Sequence, residues 1–275
     1  MSAAPFASPV ERLGRGTLRI LVGAGFLFLL APIVAVIPLS FNGGDFLSYP
    51  LRGLSLQWYE RVFEPFPWMT GLGNSLIVAS ATTVLATVAG TLAAYGMATS
   101  DFRGRSLVMG LIISPMLVPL VITGLAIYLA FARYGLVHTF AGLILAHTVL
   151  ALPFVVITVT ATLQGFDRNM VRAASSLGAG PLTAFRTVTM PLIAPGILSG
   201  AVFAFVTSFD EVVVALFLAG PEQFTLPRHM FTALRDKLDP SIVALATLLI
   251  MVSIVLLIVV ELLRWRSERL RRGRP

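Results

Sequence analysis

Cysteine is absent from the 275 residues, so neither a disulfide nor a thiolate metal site can form, and the redox compartment cannot be read from thiols. Lysine is almost absent. The one lysine, Lys237, follows Asp236 rather than a glycine, so the chain has no phosphate-cradling loop with which to hydrolyse ATP. Charged residues make up only 12%, about half the 25% typical of a soluble domain. The three histidines, His138, His147 and His229, stand far apart without ligand spacing, and no serine–histidine–acid grouping points to a nucleophilic enzyme. Period-two alternation is also missing, which argues against a transmembrane barrel.

What is present is apolar. Hydrophobic residues make up 57% of the chain, the mean hydropathy is +0.89, and one water-exposed globule could not hide that surface. A helix needs about 20 mostly apolar residues to cross a hydrocarbon core of about 30 Å. Five charge-free stretches qualify, at 20–39, 76–98, 107–131, 140–163 and 242–260; a sixth, 197–219, is interrupted only by Asp210 and Glu211. The expectation is an all-α, polytopic membrane protein with six transmembrane helices. It divides into an N-terminal tail (1–19), a transmembrane domain (20–263) and a basic tail (264–275). The first stretch is longer than a signal-peptide core and lacks a cleavage site, so it reads as a retained helix.

Of the twenty basic residues, fourteen lie in the N-terminus, the 99–106 loop, the 164–196 loop and the tail, and six on the opposite side. The positive-inside rule then puts both termini in the cytoplasm. Net charge is +7, yet six arginines crowd the last twelve positions after an apolar segment, without interleaved aromatics. That pattern is a topology anchor, and no nucleic-acid partner is expected. Trp68 and Trp265 fall beside membrane boundaries as interfacial aromatics, and residues 55–64 read as a short interfacial helix. Pro115, Pro119 and Pro153 predict kinks, and Gly90 with its small neighbours predicts close helix packing.

The 164–196 loop does not read as a linker. Residues 168–177 are amphipathic; Gly178-Ala179-Gly180 breaks the helix; Pro181 opens a second short one, and Pro191 and Pro195 end it before the fifth crossing. The result is a cytoplasmic helix–glycine–helix knob whose Val171, Leu177, Leu182, Phe185 and Val188 either fill a partner's groove or fold back on the chain's own helices.

The residues Ala173-Ala174, Leu177-Gly178-Ala179, Phe185 and Met190-Pro191-Leu192-Ile193, with Pro195-Gly196, resemble the coupling loop of ABC importer permeases of type I. Asn74-Ser75-Leu76, Gly90 and Ala93-Ala94-Tyr95 extend the resemblance over most of the chain. It implies a permease with no cofactor, two ATPase copies docked at the loop, a second permease, a periplasmic substrate-binding protein and an inner-membrane location within lipid. One departure stands out: Arg172 occupies the place of the family's leading glutamate, at the position expected to touch the ATPase. Ser208-Phe209-Asp210-Glu211, Gly220-Pro221 and Thr225-Leu226-Pro227 are similar to the spermidine/putrescine branch, and also to permeases for 2-aminoethylphosphonate or ferric iron.

Asp210 and Glu211 are candidate pathway residues. An uncompensated acid at the centre of a spanning helix costs about 2.5–3.5 kcal/mol, and on a continuous helix neighbours point about 100° apart. One could line a route for a cationic solute while the other binds a neighbouring helix; the sequence does not say which, and a pair of packing hydrogen bonds accounts for them equally. His147 reads as a neutral histidine bonded across a helix interface, with a proton relay as the alternative. Residues 228–239 suit either a periplasmic delivery protein or plain solvent. The rival function is an ion-coupled carrier using Asp210, Glu211 and His147, although no internal repeat supports it; a scaffold without transport is a third reading.

Overall fold

The computed structural model describes residues 9–165, 167, 169–236 and 239–272, with side chains from residue 14 onward except 256, 259, 260 and 263–272. All six apolar stretches fall on helices. Helix α1 (Pro9–Leu39) carries the first. A short α2 (Gln57–Val62) follows, and α3 (Thr70–Thr99) carries the second. The third is divided between α4 (Arg105–Leu117) and α5 (Leu120–Ala132). Helix α6 (Phe140–Gln164) carries the fourth. Short helices α7 (Asn169–Ser176) and α8 (Pro181–Ala184) form the loop. The fifth is divided between α9 (Met190–Phe209) and α10 (Val213–Leu218). After α11 (Leu226–Asp236), α12 (Ser241–Arg272) carries the sixth. Four helical stretches are individually long and apolar enough to cross a bilayer, and α4 with α5 makes a further, bent one.

The chain forms two compact units. The first joins α1, the 40–56 segment, α2 and α12. Asn42 organises the segment: its amide donates to the Phe46 carbonyl (2.8 Å), its side-chain oxygen accepts from the Arg52 N–H (3.0 Å), and its carbonyl accepts from buried Trp58 Nε1 (2.7 Å). Trp58 and Val62 form the buried face of α2, as the amphipathic pattern at 55–64 requires. Arg61 pairs with Asp239 at 3.8 Å.

The second unit is built on α3, α6 and α9. In lipid, apolar burial alone gains little, so helices must approach closely enough for dispersion contacts to decide the packing. Glycine permits this at both faces of α6. A Cβ at Gly90 on α3 would meet the Val155 side chain at 2.8 Å, and one at Gly200 on α9 would meet Thr158 Oγ1 at 2.7 Å and Val155 Cα at 3.0 Å. Ala86, Ala94, Ala151, Val155, Val159 and Ala204 fill the seam. A second cluster joins α6 to α10 through Leu143, Leu150, Val214 and Leu218, with Tyr128 and Phe131 of α5 against it.

Two expected crossings are broken. The third turns by 110° between α4 and α5. Pro119 forces Val118 into extended backbone (ψ 136°) and itself becomes the residue preceding α5, so the helix cannot run through. Trp68, expected beside a membrane boundary, is turned inward at the start of the span that runs from Pro65 to Thr99. It is 1% exposed and packs edge-on against His229 with centroids 4.6 Å apart. The side chain of Trp265 lies outside those described.

Candidate functional site

The break in the fifth stretch has a local cause. Glu211 Oε1 accepts from the backbone N–H groups of Val213 (2.9 Å) and Val214 (3.0 Å), and Oε2 accepts from Ala215 (3.1 Å). A carboxylate that takes the first-turn amides of a helix caps that helix and separates it from the preceding one, because those donors no longer seek carbonyls one turn back. Helix α9 therefore ends at Phe209 and α10 begins at Val213. The two acids do not lie on one continuous helix. That pattern was invisible from apolarity, since the span is uniformly apolar on both sides of the cap.

The cap separates the roles of the acids. Glu211 is buried, 6% exposed, and its oxygens are committed to α10. Asp210 is exposed. It lines a cavity of about 460 Å³ with Val206 and Thr207 of α9, Leu150 and Phe154 of α6, and Met116, Val118 and Leu120 around the α4–α5 elbow. Two interrupted spans thus face one space near the middle of the apolar stretches, the arrangement in which freed backbone at membrane depth can meet water or solute. The last carbonyls of α9 add partial negative charge beside the Asp210 carboxylate, while the positive end of α10 is taken up by Glu211. His147 reaches the break from α6: Nδ1 lies 2.9 Å from Ser208 Oγ, and Nε2 lies 3.7 Å from Glu211 Oε2. The bond across a helix interface expected of His147 is thus made to Ser208, a partner the sequence did not name for it, because residues 147 and 208 meet only through the α6–α9 packing. Among the described residues no group of three or more His, Asp or Glu could hold a metal ion.

The loop has the helix–glycine–helix form. Gly178 has φ +87°, the left-handed conformation that glycine adopts without a Cβ penalty. The Ala179 N–H donates to the Ala174 carbonyl (3.0 Å) and the Gly178 N–H to Ser175 (3.0 Å), a Schellman cap on α7. Of these positions only Gly178 has its residue type set by the backbone conformation; Ala173 supplies a carbonyl to Leu177 at 3.1 Å. Leu177 and Leu182 point outward, 89% and 62% exposed. Phe185, half-buried, packs on Tyr95 with centroids 4.8 Å apart. Arg172 is exposed and borders a smaller cavity of about 260 Å³ with Tyr95, Thr99 and Thr189. Arg168 lies outside the described residues.

The expected stop at Pro191 and Pro195 is not made. A wide π turn at Phe185–Thr189 joins α8 to α9, giving one helical stretch of 29 residues from Pro181 to Phe209. Pro191 falls in the first turn of α9, where its missing N–H has little cost, and Pro195 is tolerated inside the helix.

On the other end of α3, Asn74 Nδ2 donates to the carbonyls of Glu222 (2.9 Å) and Phe224 (3.0 Å), and Ser75 Oγ accepts from the Leu226 N–H (2.8 Å). The Asn-Ser pair thereby anchors the segment leading into α11. Arg228 turns inward, donating from Nη1 to the Ala219 carbonyl (2.6 Å) with its guanidinium 4.2 Å from the Phe224 ring. Burial lowers its pKa from the usual arginine value.

Comparison with known proteins agrees with this architecture. Residues 86–272 match the family described as binding-protein-dependent transport system inner membrane component. The chain is 32% identical over 243 residues to the spermidine/putrescine transport system permease protein PotC of Haemophilus influenzae, covering 88% of this chain and 94% of that one. It is 35% identical over 235 residues to the putrescine transport system permease protein PotI of Escherichia coli, covering 82% and 83%. In fold it is similar to a chain of a bacterial ABC transporter that imports the acidic polysaccharide alginate, with a TM-score of 0.73, 18% identity, and coverage of 95% and 99%.

Proposed function

Because this chain belongs to the family of binding-protein-dependent transport system inner membrane components, we propose that it forms half of the translocation pathway for a polyamine and that Asp210 is its contact with the cation. The chain is a multi-pass permease subunit of an ATP-driven importer and not itself an enzyme; it works with an ATPase, a substrate-binding protein and a second permease. The observation that carries the cation reading is the exposed Asp210 carboxylate in a cavity of about 460 Å³ formed by two broken spans. The polyamine permeases among its relatives support the choice of solute.

In this reading the knob around Gly178 docks on the ATPase through Leu177 and Leu182, with one ATPase copy beneath each of two permeases and both termini in the cytoplasm. Ala173, Ala174 and Ala179 shape the knob, Phe185 ties it to α3, and Pro191 starts the helix behind it. Arg172 gives the docking face a positive charge where relatives of this type carry a glutamate, so the complementary group on the ATPase is an acid. The 29-residue stretch from Pro181 to Phe209, about 43 Å at 1.5 Å per residue, links the docking face to Asp210. ATP-driven closure of the ATPase pair then moves the cavity wall through a continuous helix.

The test is equilibrium binding of radiolabelled spermidine to the assembled transporter in nanodiscs, without the binding protein, so that the membrane site alone is read. A charge-assisted hydrogen bond contributes about 1.5–3 kcal/mol, so Asp210→Asn should weaken binding roughly 10- to 150-fold. Unchanged binding would remove Asp210 from the pathway.

A further inference from the structure

His147 is 1% exposed on α6, in a stretch from Leu143 to Leu150 whose other polar residue, Thr148, is bonded to its own helix. A polar side chain at such a place is costly unless its polar atoms are used. Its two ring nitrogens reach opposite sides of the α9–α10 break. Nδ1 meets Ser208 on the last turn of α9 at 2.9 Å, and Nε2 faces Glu211, the cap of α10, at 3.7 Å. Nε2 has no hydrogen-bond partner among the described residues, so the Glu211 carboxylate is what it addresses. With the proton on Nε2 the Ser208 hydroxyl donates to Nδ1 and the Nε2–H faces the carboxyl group; with the proton on Nδ1 the ring donates to Ser208 and the Nε2 lone pair faces Glu211.

Ser208 is therefore hydrogen-bonded to α6 at 2.9 Å and Glu211 faces the same ring at 3.7 Å, with Asp210 between them. We infer that His147 is a positioning residue for the cation site: it staples the two sides of the break to α6 and so fixes where the Asp210 carboxylate stands in the cavity. This rests on the reading of Asp210 as the substrate contact. The geometry gives the staple a purpose that packing alone does not supply. A leucine would fill the space, but the break, held at its ends by the Asp210 N–H bond to Val206 and by the Glu211 cap, would lose its polar contacts to α6, and a binding group displaced by about an ångström loses most of its contribution. The cap on α10 and the direction of Asp210 are coupled because Glu211 is shared between the cap and the staple.

The same spermidine-binding measurement tests this. His147→Ala should weaken binding at least tenfold in the wild-type background and less than twofold in the Asp210→Asn background, because the carboxylate that needed positioning is gone. His147→Gln and His147→Asn, whose amides reach only the Nε2 and only the Nδ1 position, each keep one end of the staple and should each weaken binding more than threefold; wild-type binding by both would overturn the inference, and this pair keeps the test decisive even if the alanine variant fails to fold. Equal losses in both backgrounds would make His147 a packing residue and overturn the inference, as would wild-type binding by His147→Ala. The outcomes separate from those of the parent reading. A loss with Asp210→Asn but none with the His147 variants sinks only the staple, whereas no loss with Asp210→Asn sinks the substrate contact and the staple with it.

Discussion

Replacing Glu211 with alanine removes the acceptor of three backbone donors at once, those of Val213, Val214 and Ala215 at 2.9, 3.0 and 3.1 Å. The first is only partly buried and can be met by water from the adjoining cavity, while the other two are buried. A buried donor left unmet costs about 1–3 kcal/mol, so Glu211→Ala should destabilise the chain by about 2–6 kcal/mol. Glu211→Gln keeps one oxygen over Val213 and Val214 but turns an NH2 toward the Ala215 N–H, which should cost about 1–3 kcal/mol. Asp210→Ala supplies the internal control. Asp210 is exposed and none of its side-chain bonds hold the helix, so its loss should stay within about 0.5 kcal/mol. The assay is the temperature at which half of the detergent-solubilised protein leaves the monodisperse peak in size-exclusion chromatography, after membrane fractions show equal insertion. The expected order is wild type with Asp210→Ala, then Glu211→Gln, then Glu211→Ala. An alanine variant as stable as wild type, or more stable than the glutamine variant, would refute the account of the break as a carboxylate cap.

Gly200→Leu should separate α9 from α6, because the new Cβ falls 3.0 Å from the Val155 backbone; overpacking of this kind costs about 1–3 kcal/mol. Gly73→Leu, with open space around the glycine, should leave the yield of folded protein unchanged, and equal yields for both variants would count against the close packing. Gly178→Pro cannot adopt φ +87° and loses the Gly178 N–H bond to Ser175; the protein should still insert but fail to co-purify with its ATPase, whereas normal co-purification and uptake would argue against a docking loop. Asn74→Ala removes both donors to the Glu222 and Phe224 carbonyls, so residues 220–226 should be cleaved faster by protease added to the detergent-solubilised protein; an unchanged rate would show the anchor to be dispensable.

Much of the architecture was legible because lipid demands long apolar runs, and each of the six stretches falls on helix. The glycine turn at Gly178 was legible for a similar reason, since few residues other than glycine adopt its φ of +87°. The interruptions were not. The elbow at Val118–Pro119 was foreshadowed only as a proline kink, and a bend of 110° depends on what α5 packs against. The break at Asp210–Val212 depends on which of two adjacent carboxylates reaches three amides, a choice between side chains one residue apart that no periodicity records. Pro191 misled because a π turn before it changes which amide is surplus. The inward packing of Trp68 was not legible because an aromatic facing lipid and an aromatic buried on His229 have the same sequence neighbours.

The elbow between α4 and α5 has a further consequence. Leu120 and Val121 open α5 without carbonyls one turn back, and the preceding residue is a proline. Leu120 borders the cavity, so water or solute there can reach its amide. If the cavity closed around nothing, each abandoned donor would cost about 1–3 kcal/mol. An occupied cavity meets no such barrier. The bend therefore puts part of the third span's polar backbone at the wall of a cavity whose other lining is mostly apolar.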